Sequence, residues 1–226
     1  MSAPPFTVAL LGAESTGKSG LAQALFDTLT AKHGQHCVMV PEHLRDWCQR
    51  QDRAPEQHEQ AAIAAEQSRL IAQARATPRV HVVLADTTAV MVAAYSEQYF
   101  NDLSLWPRAL AAHTDCDLTL LMGLDLPWVD DGLCRDSPAA REDTDAILRA
   151  RLDQAGVAYQ MVYGNGDKRA SHALRTVGAG MGLTLTAQDP FWEQGRRPWS
   201  CEKCSDPACE HRLFRDLIGS QARQVT

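Results

Sequence analysis

The chain has 226 residues, 45% of them hydrophobic, which suits one α/β domain with a real core and room for an appendage. With 22 Lys and Arg against 28 Asp and Glu the net charge is −6, so the composition carries no general electrostatic footprint for nucleic acid. There is no run of about 18 apolar residues. The N-terminus lacks the basic and apolar regions of a signal peptide, so a cytoplasmic globular protein is expected, with no membrane span.

The first predicted element is FTVALL, residues 6 to 11, a short apolar run bounded by Pro5 and Gly12 that reads as a buried strand. The next segment, GAESTGKS, places Gly12, Gly17, Lys18 and Ser19 at the spacing of a phosphate-binding loop. Such a loop wraps an anion in successive backbone N–H groups, in dihedrals that a residue with a Cβ resists. The helix after it carries Leu21, Leu25 and Leu29 at helical spacing and stops at Gly34, so its positive end faces the bound charge. Lys18 is therefore expected against the β- and γ-phosphates of a nucleotide, with the Ser19 hydroxyl on Mg²⁺. Glu14, Ser15 and Thr16 complete the loop.

Four more apolar runs read as strands: HCVMVP (36 to 41), VHVVLAD (80 to 86), DLTLLMG (117 to 123) and VAYQMVYG (157 to 164). Helical segments separate them, including the alanine-rich stretch 55 to 76, with Pro55 near its first turn, and AVMVAAYSEQYF (89 to 100). Five buried strands with crossover helices imply a parallel sheet with helices on both faces, hence a three-layer α/β sandwich. Ligands of such sheets gather at the carboxyl ends of the strands. From about residue 187 Pro, Trp and Cys replace the periodic pattern. A domain over 1–186 with a separate Cys-rich extension over 187–226 is therefore expected.

Read for chemistry, the strand ends offer two carboxylates. Glu42 and Arg45 in PEHLRDW stand where a loop hands over to a helix; either Glu42 serves an attacking hydroxyl or it is an exposed partner of Arg45. Asp86, at the end of the third strand, is a candidate for Mg²⁺, for a substrate hydroxyl, or for a helix N-cap. After the fourth strand, a polar stretch carries Arg135 and Arg141 between Trp128 and a helix expected to start near Asp143. This stretch, about 125–145, reads as a lid whose arginines would cover phosphates and exclude water.

Taken together, GAESTGKS, VPEHLR, ADTT ahead of YSEQYF, and above all WVDDGLCR resemble the ribosylnicotinamide kinase domain of NadR-type proteins and the wider group of NadR-like P-loop ATPases. The resemblance spans about residues 6 to 180. It implies a nucleoside-kinase-like P-loop NTPase fold and transfer of the ATP γ-phosphoryl group to the ribose 5′-hydroxyl of nicotinamide riboside. On the matching positions it implies that Lys18 and Ser19 serve ATP and Mg²⁺. Glu42 and Asp86 would face the acceptor, Asp130 and Asp131 fall at the start of the lid, and Arg135 falls within it. A cationic aromatic ring calls for an aromatic face near a carboxylate, for which Trp47, Tyr95, Tyr99 and Trp128 are candidates; Trp128 stands beside the acidic pair. Absence of an N-K-x-D-like element disfavours GTP.

In the extension, CEKCSDPACEH supplies Cys201, Cys204, Cys209 and His211, the right count and elements for a closed zinc site. The single residue between Cys209 and His211 is tight, so His211 is either a ligand or a bystander; redox-active thiols or an iron–sulfur centre are the alternatives. A second functional reading is an ATP-binding switch that docks a protein partner through this tail.

Overall fold

In the computed structural model, which describes residues 4–129 and 137–185, strands form inside all five apolar runs. They are β1 (Phe6–Leu11), β2 (Cys37–Val40), β3 (Val82–Asp86), β4 (Leu118–Met122) and β5 (Gln160–Val162). Every neighbouring pair is parallel, and the sheet order is β2-β3-β1-β4-β5. The last strand is shorter than its apolar run. Val157 is drawn into the turn that ends the preceding helix, its N–H donating to the Leu152 carbonyl at 2.9 Å.

Seven helices are described: α1 (Lys18–His33), α2 (His43–Gln51), α3 (Gln57–Arg75), α4 (Ala89–Phe100), α5 (Trp106–His113), α6 (Pro138–Gln154) and α7 (Gly166–Met181). The period of two along the strands divides the core. Leu10, Leu84, Leu120 and Met122 pack with Leu25 and Leu29 of α1 and Val177 of α7. Leu11, Leu121 and Met161 face the other way, against Ile63 of α3, Val90 and Met91 of α4, and Leu148 and Leu152 of α6. Apolar side chains on both faces of each strand require helices on both sides, which is the observed three-layer α/β arrangement.

Local signals place the helix ends. Gly34 caps α1 in the left-handed region at φ 61°, as the glycine stop predicts. Glu56 and Glu59 form a capping box at the start of α3, which puts Pro55 just ahead of the cap and outside the first turn. The helix expected near Asp143 begins earlier, at Pro138, because Ser137 accepts the Ala140 N–H and Pro138 suits the first helical position. Residues 138–145 of the stretch read as a lid are thus helix, and Arg141 lies in its first turn. Asp130, Asp131 and Arg135 lie outside the described residues, as do Cys201, Cys204, Cys209 and His211. Among the described residues, no helix is long and apolar enough to cross a membrane.

One buried polar group ties these layers together. His113, 3% exposed at the end of α5, lies 3.2 Å from the Thr88 hydroxyl through Nδ1 and 2.8 Å from the Thr119 hydroxyl through Nε2. Thr88 in turn caps α4 through the Val90 N–H. Burial holds the His113 imidazole down at about 4, from an ordinary value of 6.5. Between those values the unfolded chain binds a proton that the folded chain refuses, so stability is lost as the pH falls from 6.5 towards 4. The full loss is on the order of 3 kcal/mol. His113→Gln is expected to flatten this part of the stability profile, measured by denaturant unfolding at pH 7.0, 5.5 and 4.5. An unchanged slope would place the acid sensitivity elsewhere.

Candidate active site

All five strands point the same way, so their carboxyl ends form one edge, and β1 delivers the Gly12–Ser19 loop to its centre. Gly12 adopts φ 146°, and a Cβ there would come within 2.8 Å of the Met122 Cβ, so only glycine lets the loop cross β4. Gly17 caps α1 in the left-handed region at φ 75°. The Thr16 hydroxyl donates to the Ala13 carbonyl at 2.6 Å, which closes the loop on itself. Ser15 bonds outward instead: its hydroxyl accepts the Val129 N–H at 2.8 Å, fastening the loop to the segment after β4. Ser19 is exposed in the first turn of α1.

Lys18 is the centre of charge. It is 6% exposed, and its Nζ donates to the Gly12 and Ala13 carbonyls at 2.6 and 2.9 Å. Burial lowers its pKa, while the nearby carboxylates of Glu42, Asp86 and Glu14 pull it back up. The expected partners Lys18, Glu42 and Asp86 are therefore brought together, with the loop residue Glu14 added to them.

The two strand-end carboxylates are both buried. Glu42 does pair with Arg45, at 3.4 Å, but it is 8% exposed, which removes the reading of it as a solvated surface acid. Burial pushes its carboxyl up, against the pull of Lys18 and Arg45. Asp86 pairs in register with Leu10, next to the loop. Thr88, not Asp86, caps α4, so Asp86 is free of that role. Its Oδ1 is buried with no partner among the described residues. Thr87, immediately after it, holds φ 83°, an outlier for a β-branched residue.

On the β4–β5 side of the loop stand two arginines. Arg141, 5% exposed, donates from Nη1 to the Leu126 carbonyl at 2.9 Å. Its Nε and Nη2 are buried without partners among the described residues. Arg169, 4% exposed in the first turn of α7, donates to the Thr16 carbonyl at 2.6 Å and the Gly164 carbonyl at 3.1 Å. Asp125 lies 3.6 Å from it and accepts the Gly164 N–H. Burial lowers the pKa of Arg169, partly offset by Asp125.

Of the aromatic candidates, Tyr95 and Tyr99 lie with ring centroids 6.3 Å apart. Tyr95 is beside the carboxylates: burial, then the charges of Glu42 and Glu14, push its phenol well above the usual value. Trp47 packs against the core and carries the Arg53 guanidinium 4.9 Å over its ring. Trp128 is half-buried, and its Nε1 has no partner among the described residues.

Two residues that pattern reading missed hold this edge together, Arg169 and Gln67. Gln67 sits 1% exposed on α3, where Gln60, Ile63, Gln67 and Ile71 share the buried face. A polar residue inside an apolar helical stripe is the signal that would have found it.

Comparison with known proteins fits this geometry. A search of curated proteins finds no match. Among solved structures, the chain is similar to NadR protein in complex with NR, at 20% identity and TM-score 0.69, over 82% of this chain and 54% of that one. NadR protein in complex with NAD and AMP-PNP aligns at 18% identity and TM-score 0.66, over 82% and 52%. Thymidylate kinase from Ehrlichia chaffeensis aligns at 13% and 0.57, over 77% and 100%. The chain spans about half the length of the NadR chains. The likeness to NadR read from the motifs thus extends to the fold, a P-loop kinase fold. A family model described as AAA domain (AAA_28) matches residues 7–169, from β1 into α7, and the chain belongs to that family.

Proposed function

We propose that the chain is an ATP-dependent phosphotransferase that phosphorylates a nucleoside hydroxyl, with the 5′-hydroxyl of nicotinamide riboside as the acceptor. The observation that carries this reading is the convergence of buried Lys18, Glu42 and Asp86 beside a glycine-built anion loop. Burying a carboxylate pair beside the lysine costs desolvation energy that a merely structural loop has no reason to carry, which supports a chemical role for Glu42 and Asp86.

In the proposed reaction the acceptor oxygen forms a bond to the γ-phosphorus, and the bond to the β–γ bridging oxygen breaks, releasing ADP. Glu42 takes the proton of the attacking hydroxyl, and Asp86 orients that hydroxyl. Lys18 and Arg141 meet the charge that spreads over the phosphoryl oxygens. The buried, unmatched donors of Arg141 fit an anion at that place. Mg²⁺ would supply further charge neutralisation, held by the hard oxygens of Ser19 and Asp86. Arg135 belongs to the same proposal as the covering residue of the lid, Asp130 and Asp131 as acceptor contacts, and the Cys201 to His211 cluster as a structural zinc site.

The test is incubation with ATP·Mg²⁺ and a panel of nucleosides. ADP release that depends on the acceptor is expected, with nicotinamide riboside giving its mononucleotide. Slow ADP release indifferent to every acceptor would favour the nucleotide-driven switch instead.

A further inference from the structure

We propose that Gln67 is the positioning residue that sets Glu42 and Asp86 at their working separation, by hydrogen-bonding the backbone of both strand ends at once. Its Oε1 accepts the His43 N–H at 2.8 Å. Its Nε2 donates to the Pro41 carbonyl at 3.3 Å and to the Thr87 carbonyl at 3.4 Å. Pro41 and His43 flank Glu42, and Thr87 follows Asp86. One amide therefore ties both carboxylate-bearing loops together without touching either carboxylate.

The fold gives this tie a purpose. β2 is an edge strand, held by β3 alone, and its last ladder pair is Val40 with Ala85. Glu42 lies beyond that pair, where strand pairing no longer fixes the chain. Thr87 occupies a strained left-handed conformation and carries a buried hydroxyl with no partner among the described residues. A bond to its carbonyl holds a conformation that the residue itself disfavours. Only a side chain with both a donor and an acceptor meets these demands, which selects Gln over the Ala, Leu or Ile usual on the buried face of a helix.

This inference rests on the phosphotransferase reading for its kinetic consequence but not for its structural one, and the experiment separates them. In Gln67→Met, which keeps the volume, kcat for acceptor phosphorylation is expected to fall about a hundredfold, as for a misplacement of order 1 Å, with KM for ATP within about twofold. Gln67→Asn keeps the polarity but shortens the reach by one methylene; it is expected to fall in the same direction and serves where the Met variant folds poorly. Adding Gln67→Met to Glu42→Gln is expected to cost little more, since both act on one group.

Independently of any turnover, the His43 amide is expected to lose hydrogen-exchange protection in both variants. The Glu42 carboxyl, among Lys18, Arg45, Asp46, Asp86 and Tyr95, is expected to titrate closer to the ordinary glutamate value as its loop loosens. Unchanged protection and titration in both variants would overturn the positioning role. So would a Gln67→Met loss that multiplies with that of Glu42→Gln and falls equally on ATP affinity, the mark of general destabilisation. A wild-type protein that phosphorylates no acceptor, with His43 protection still lost in the variants, would overturn the phosphotransferase reading and leave the tie standing.

Discussion

Lys18→Ala lowers phosphoryl transfer by at least about a hundredfold to a thousandfold, the range seen when one preorganised partner of developing charge is removed. The lysine contributes no apolar packing to the core, so the sheet and its helices persist. Its loss is nonetheless felt in the charge balance. Three carboxylates, Glu42, Asp86 and Glu14, act on the buried ammonium, and without it they lose that compensation in a site of low exposure. Glu42, already raised by burial and lowered by Lys18, then moves higher still. The folded variant holds a proton that the unfolded chain releases, so its stability falls as the pH rises from the ordinary glutamate value through the raised one. Measuring turnover together with melting temperature from pH 5 to 8 separates the two effects. Wild-type turnover would end the phosphate-loop assignment, and a variant melting temperature that does not fall relative to wild type across that range, the His113 contribution being common to both, would contradict the buried charge cluster.

Glu42→Gln removes the proton acceptor while keeping shape and hydrogen-bonding capacity. A general base contributes roughly a hundredfold to ten-thousandfold, so kcat falls by that order while ATP affinity stays within about twofold. The pH profile is the sharper readout. A base works when ionised, and burial raises the Glu42 pKa, so wild-type kcat/KM climbs with pH through a value above the ordinary glutamate range. The variant lacks that limb. An equal loss of ATP affinity and kcat would show that Glu42 holds the nucleotide instead, and a retained limb would assign the base to another group, Asp86 being the neighbour to try next.

Much of the architecture was legible because it rests on local rules. A glycine at φ 146° and another in the left-handed region can be read from spacing alone, as can a helix that stops at Gly34. The β strands were legible because a strand covered on both faces has no polar side and so reads as an unbroken apolar run. Boundaries failed where a cap outweighed composition: Ser137 and Pro138 start α6 before the acidic residues that marked its expected start, and the α6 C-terminus takes Val157 from β5.

What the tertiary structure alone decided is the strand order and everything that follows from it. Pairing β3 and β4 on either side of β1 sends Glu42 and Asp86 to one flank of the loop and Arg141 and Arg169 to the other. No local pattern encodes that division, since it depends on crossovers between segments far apart in the chain. Burial was decided there too: the same Glu42–Arg45 spacing describes a surface ion pair or a buried carboxylate, and only the neighbouring helices choose. Gln67 and Arg169 show the limit most plainly. Their partners are backbone carbonyls and an amide brought in from distant loops, and backbone groups carry no sequence signature; the helical stripe of α3 could have flagged Gln67 as a buried polar residue, but what Gln67 and Arg169 bind became visible only once the chain was folded.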